Sequence, residues 1–165
     1  MFFYEEILRE FQNQKVKYVI VGGTAFNLLG GLRNTYDLDI LVEMSDKNLA
    51  KVVKILKKKR YKVKQPVDPA GIVDKAIRED WIRNKGMKAF NFYKDDEMKE
   101  VDIIIKSPLS FKQARRTAER LRSGNIALYV ISIDNLIKMK SSTGRDVDKL
   151  DIKQLKKIKE LRKLK

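Results

Sequence analysis

The 165-residue chain contains no cysteine and no histidine. Those absences exclude disulfide frameworks, thiol nucleophiles, the usual zinc sites and every histidine-based triad. Acid–base or metal chemistry is left to carboxylates, whose hard oxygens favour magnesium or manganese. No Pro- or Ser-rich linker and no internal repeat divides the chain. No apolar run approaches the roughly 18–20 residues that a bilayer span requires. The opening "MFFYEEILREF" places acids between its aromatics and lacks the basic, apolar, small-residue order of a secretion signal. A cytoplasmic protein with no membrane association is expected.

What the chain does have is apolar and charged residues in comparable measure, 43% and 36%. The apolar share is that of a folded chain, and the length fits one domain, or one domain with a small helical appendage. Lys and Arg number 37 against 22 Asp and Glu, a net charge of +15. That excess favours a polyanionic partner: nucleic acid, a nucleotide or an acidic protein. A lysine-rich, cysteine-free composition is also what thermophile surfaces look like.

Periodicity predicts alternating strands and helices. Phe3, Ile7, Leu8 and Phe11 share a face of a helix over residues 2–13. Val16–Val21 reads as a buried strand broken by Gly22-Gly23, and "TAFNLLG" as a short helix stopped at Gly30-Gly31. "DLDILVE" is the next strand, and Ser45 caps a helix to about Lys59 that buries Val52, Val53, Ile55 and Leu56. "YKVKQPV" reads as a short strand, and Asp68-Pro69 starts a helix reaching Trp81. Met87–Tyr93 and Lys99–Lys106 form an antiparallel hairpin. "FKQARRTAERLR" is expected to be helical up to Gly124, followed by the strand "IALYVIS". Ser132 or Asp134 caps the helix "NLIKMK", and a last helix over 146–163 carries the stripe Ile152, Leu155, Ile158 and Leu161.

Alternation along a strand turns Asp37 and Asp39 to one side, and Leu38 and Ile40 to the other. Paired carboxylates repel, and a divalent cation neutralises them. Asp102 in "EVDIII" completes a three-carboxylate cluster if its strand lies beside "DLDILVE". Acid–apolar alternation also describes a strand with one solvent face. The strand, the Gly22-Gly23 break and a helix opened by Thr24 add backbone N–H groups aimed at an anion.

"VIVGGTAFNLLGGLRNTYDLDILVE" resembles the signature of the DNA polymerase β-like nucleotidyltransferase superfamily, with Gly22, Gly23, Asp37, Asp39 and the later Asp102 at its positions. It is similar in particular to small stand-alone bacterial members such as the AbiEii-type toxins. Arg33, Thr35, Asp37 and Asp39 match their R-x-T-x-D-L-D pattern, and "LIKMKSSTGRDVDKLDIKQL" matches their C-terminal pattern. The resemblance implies an α/β fold, a mixed sheet flanked by helices, with a catalytic core over 1–131 and a helical segment over 132–165.

It further implies a magnesium- or manganese-dependent enzyme that transfers a nucleoside monophosphate from a triphosphate to an acceptor hydroxyl, releasing pyrophosphate. Asp37, Asp39 and Asp102 would hold the metals, and Gly22, Gly23 and Thr24 the phosphates. Lys140 would reach the phosphates, with Asp148 facing the cleft and Arg145 nearby. The acceptor stays open between RNA or tRNA and a small molecule, and an antitoxin-like protein is an expected partner. The alternative is a non-catalytic nucleotide- or RNA-binding module, or the toxin half of a pair.

Other features have plainer readings beside functional ones. Lys138 and Lys140 cannot share a helix face, so at most one points inward. Arg33 either binds phosphate or pairs with Asp37. "KKKRYKVK" is a solvated helix end or a nucleic-acid contact. Trp81, Phe90, Phe92 and Tyr93 are core residues or base-stacking platforms.

Overall fold

In the computed structural model, which describes residues 3–165, the apolar tetrad Tyr18–Val21 forms β1 and is buried along its whole length. Such a strand needs neighbours on both edges. It pairs antiparallel with β2 (Asp37–Val42) and parallel with β7 (Ile126–Val130). β2 in turn lies parallel to β5 (Lys99–Ile104), which pairs antiparallel with β4 (Ala89–Lys94). With β3 (Lys62–Val63) and β6 (Glu119–Ser123) at the edges, the order is β3-β4-β5-β2-β1-β7-β6.

Helices cover the sheet. α1 (Glu5–Asn13) buries Ile7, Leu8 and Phe11, each worth ~1.5–3 kcal/mol of removed apolar surface. The helix begins at Glu5, so Phe3 lies before it and is half exposed; residue 2, where it was expected to start, lies outside the described residues. α2 (Gly22–Leu28) starts directly at the glycine pair. α3 (Asp46–Lys58) is capped by Ser45 and buries Leu49, Val52, Val53, Ile55 and Leu56. Its Asn48 is buried yet satisfied: the amide oxygen accepts from Lys17 N, and the amide nitrogen donates to the Lys17 and Glu43 carbonyls. Trp81 stacks on Phe90, which meets Phe92 edge-on, so these aromatics are core residues.

Four expectations need correction. The helix expected over 68–81 is a 3-10 turn (Pro69–Val73) and then α4 (Lys75–Asn84), because Asp74 caps a fresh helix by accepting from Ile77 N. Only Lys62–Val63 of "YKVKQPV" pairs as a strand; beyond it Pro66 has no N–H to donate to a ladder. "FKQARRTAERLR" is helical only in α5 (Phe111–Arg116). Its second half becomes β6, joined to β7 through the two-residue turn Gly124-Asn125, with Ser123 opposite Ile126. Edge pairing overrides helix propensity there, and Arg120 and Arg122 alternate outward around the half-buried Leu121.

The last correction concerns the C-terminal helices. α6 (Ile133–Ser141) is capped by Ser132 and packs on α7 (Asp146–Lys163). The inward face of α7 runs Asp148, Asp151, Leu155 and Ile158. Leu161, expected on the buried stripe, is 54% exposed. Among the described residues no helix is long and apolar enough to cross a membrane.

Candidate active site

The parallel register of β2 and β5 sets Asp37 opposite Glu100 and Asp39 opposite Asp102. Residues two apart on a strand share a face, so these acids occupy one face of two adjacent strands. One oxygen from each of Asp37, Glu100 and Asp102 lies within 4.8 Å of the others. Asp39 sits deeper. Burial, then the charges of Asp102 and Asp37, push its carboxyl up to about 7, against a hydrogen bond from the Gly23 N–H. Asp37 is raised by burial and then by Glu100. Asp102 is raised by burial, against a hydrogen bond from Asn91. Burial first, and then the charges of neighbouring carboxylates, raise all three aspartates, and a bound cation would offset both. The all-oxygen donor set fits magnesium or manganese.

The bend between β1 and α2 is built around Asp39. Gly22 has a φ of +65°, and a Cβ there would lie 1.9 Å from Asp39 Oδ2. At Gly23 a Cβ would lie 2.7 Å from Thr35 Oγ1. Both glycines are therefore required by their own fold, whatever ligand approaches. The Thr24 hydroxyl donates to the Asp37 carbonyl at 2.7 Å, tying α2 to the start of β2.

Around the acids lies a polar shell. Asn91 Nδ2 donates to Asp102 Oδ1 at 2.6 Å, and Gln65 Nε2 donates to the Asn91 amide oxygen. Lys64 pairs with Glu100 at 2.6 Å. The Tyr4 hydroxyl donates to the Glu100 carbonyl at 2.8 Å and also reaches the Tyr36 carbonyl.

Lys140 and Asp148 belong to a second cluster. The Lys140 ammonium donates to Asp148 at 2.9 Å and to Asp151 at 2.7 Å, and it lies 5.8 Å from the Phe26 ring centroid. At 5% exposure its donors are engaged by carboxylates and are not presented to an open cleft. Lys138 is the exposed member of that lysine pair. Burial alone would raise the Asp148 carboxyl, but hydrogen bonds from Thr143, Lys140 and Arg145 hold it at about 2. Arg33 pairs with Asp151 at 2.8 Å and not with Asp37. Both cations still act on the first cluster: Arg33 lowers Asp37, and Lys140 lowers Asp39.

The structure thus brings together the sequence-predicted Asp37, Asp39 and Asp102 and adds Glu100, Asn91 and Tyr4, which sequence reasoning did not name; Asp151, weighed from sequence behind Asp148, joins the Lys140 cluster. Glu100 had a signal, because "EVD" repeats the acid–apolar–acid pattern of "DLD". Asn91, the polar member of "AFNFY", had a weaker one.

In comparison with known proteins, residues 3–163 match the family described as "Nucleotidyltransferase of unknown function (DUF6036)". No curated protein matches the sequence. Among solved structures, the chain is similar to the lincomycin-bound lincosamide antibiotic adenylyltransferase LnuA. The TM-score is 0.59 at 21% identity, over 92% of this chain and 93% of that one. A putative nucleotidyltransferase from Thermotoga maritima gives 0.54 at 15% identity, over 97% and 88%. ANT(2'')-Ia in complex with adenylyl-2''-tobramycin gives 0.55 at 13% identity, over 97% and 92%. At these identities the likeness establishes a shared fold.

Proposed function

We propose, for a chain that belongs to the DUF6036 family of nucleotidyltransferases, a metal-dependent transfer of a nucleoside monophosphate from a nucleoside triphosphate to an acceptor hydroxyl. The observation that carries this reading is the in-register set of acids on β2 and β5 beside the Gly22-Gly23 bend. Asp37, Asp39 and Asp102, joined by Glu100, would hold magnesium or manganese. When bound, the ion neutralises charge on the phosphoryl oxygens and on the departing pyrophosphate. The backbone at Gly22, Gly23 and Thr24 lines the approach of the phosphates.

The acceptor oxygen bonds to the α-phosphorus as the bond to the bridging oxygen breaks. Asp102, oriented by Asn91, takes the hydroxyl proton. Arg33, 27% exposed at its side chain, is the direct phosphate contact. Lys140 acts through its field, because touching phosphate would break its bonds to Asp148 and Asp151. The likeness to a lincomycin-bound antibiotic adenylyltransferase, and to ANT(2'')-Ia in complex with adenylyl-2''-tobramycin, supports a small-molecule acceptor ahead of RNA. The finer likeness to AbiEii-type toxins, and an antitoxin-like partner with it, is a proposal carried by the Arg33-to-Asp39 spacing.

The test incubates purified protein with magnesium and each α-labelled triphosphate, in the presence of tRNA or pooled small-molecule alcohols. Label transfer is expected, falling at least about a hundredfold in Asp37→Asn and Asp39→Asn. Triphosphate or RNA binding without transfer, unchanged by those substitutions, overturns the enzyme reading in favour of a binding module.

A further inference from the structure

The transfer reading, on which this inference rests, requires a second substrate beside the carboxylates. A cavity of about 630 Å³ lies beside the starts of the strands that carry them, with Phe3, Tyr4, Thr24, Asn27, Tyr36 and Met98 in its walls. Those walls are continuous with the acid cluster through the backbone. Thr24 donates to the carbonyl of Asp37, Tyr4 donates to the carbonyl of Glu100, and Tyr36 directly precedes Asp37.

The chemistry of the walls is apolar. Phe3, Tyr36 and Met98 are 50%, 66% and 79% exposed, and they converge on this one cavity. Large exposed apolar side chains gathered in one place mark a binding surface. Met98 has a left-handed backbone, φ +50°, which a non-glycine residue adopts at a cost. Among the described residues the one charged lining residue is Glu97, which is held by Lys94 and Lys99, and the Lys99 ammonium also lies 5.0 Å from the Phe3 ring centroid, so the charge at this wall is paired within the protein.

A second group of basic residues lies across α2. Thr24, Asn27 and Leu28 lie on the cavity side of α2, while Phe26, on another face of the helix, meets Lys140 of the Arg33–Lys140–Asp151 cluster. α2 therefore divides the side of the Arg33–Lys140 cluster from a largely apolar side. One polar group on that apolar wall is unsatisfied. The Asn27 amide oxygen is buried and accepts no hydrogen bond among the described residues, while its amide nitrogen is committed to the Arg33 carbonyl at 2.7 Å.

We propose that this cavity binds the acceptor, and that the acceptor is a neutral alcohol bearing an apolar ring. The ring lies against Phe3, Tyr36 and Met98, an N–H or O–H of the ligand satisfies Asn27, and the reacting hydroxyl faces Asp37 and Asp102. Its oxygen forms the bond to the α-phosphorus, pyrophosphate leaves, and the proton passes to the carboxylates. A polyanionic acceptor such as RNA finds at these walls only Lys94 and Lys99, both already paired with Glu97.

The test uses the full chain and the probe phenyl β-D-glucopyranoside, with the Met98 methyl NMR signal as reporter and Mg-ATP affinity measured in parallel. The expected result is a saturable shift of the Met98 methyl. Tyr36→Ala should weaken probe binding at least tenfold and leave Mg-ATP affinity within twofold. No saturable shift, or an unchanged affinity in Tyr36→Ala, overturns the proposal. So does displacement of the probe by a short RNA ending in a free 3'-hydroxyl. A parallel loss of Mg-ATP affinity in Tyr36→Ala would give the cavity to the donor's base, which also overturns it. If the probe binds as expected and Mg-ATP does not bind the wild type, the transfer reading has failed, and the acceptor assignment with it. Mg-ATP binding without probe binding sinks the acceptor assignment alone.

Discussion

Asp39 carries the sharpest electrostatic consequence of the site. Its carboxyl is raised to about 7, by burial first and then by Asp102 and Asp37, so the folded chain holds a proton that the unfolded chain releases near pH 4. For an acid with a raised pKa, stability is gained as pH falls and is lost as pH rises through the folded value. Metal-free protein is therefore expected to lose about 2–4 kcal/mol between pH 4 and pH 8 from this group. Asp39→Asn should flatten that slope and stabilise the metal-free protein at pH 8 by about 1–3 kcal/mol, measured by urea unfolding across pH. Magnesium should raise the Tm of the wild type and not that of Asp39→Asn. The neighbouring glycine answers to the same carboxylate. Gly22→Ala would drive a Cβ to 1.9 Å from Asp39 Oδ2 at a φ of +65°. A loss of more than about 2 kcal/mol is expected in denaturant titration, together with loss of transfer.

Among the elements, the join between α6, α7 and the segment leading into β2 rests on buried charge. Lys140 is 5% exposed and Asp148 1% exposed, so neither can return to water when its partner is removed. Lys140→Ala should cost about 3–5 kcal/mol by chemical denaturation, because it removes the buried cation shared by two buried carboxylates and leaves Asp148 to Thr143 and Arg145 and Asp151 to Arg33. Lys140→Met combined with Asp148→Leu and Asp151→Leu should recover much of that stability without recovering activity, because Arg33 has then lost Asp151. The exposed end of α7 contrasts with this cluster. Leu161→Ala, at a position 54% exposed, should change stability by less than about 0.5 kcal/mol. The α7 stripe shows what sequence periodicity can and cannot tell. It identified the helix but chose leucine and isoleucine positions by type, whereas the inward face opens on Asp148 and Asp151. A charge looks solvent-bound in sequence until its buried partner is known, and that partner, Lys140, comes from another helix. The β6–β7 hairpin was hidden for a related reason. "AERLR" favours helix locally, and only the sheet edge supplied by β7 makes it a strand.

Over the whole molecule, the features legible in sequence were those with local grammar. They include the buried β1 tetrad, the glycine bend, the alternation of β2 and β5, and the Ser45 and Ser132 caps. The convergence of Asp37, Asp39 and Asp102 was legible only on the condition that β5 lies beside β2, and the parallel register meets that condition. Glu100, Tyr4, Asn91 and the apolar cavity depend on contacts across long stretches of chain, which a periodic pattern does not encode. The net charge of +15 sits outside this acidic centre, so on the proposed reading an anionic triphosphate would be drawn to a basic body and would dock at its local negative exception. A cation is what reconciles the two. The most direct measurement is an anomalous difference map from crystals soaked with manganese and a non-hydrolysable triphosphate analogue. The account predicts a peak among Asp37, Asp39, Glu100 and Asp102, with the analogue's phosphates beside Gly22 and Gly23. An analogue bound elsewhere, or bound there with no manganese at these carboxylates, would contradict it.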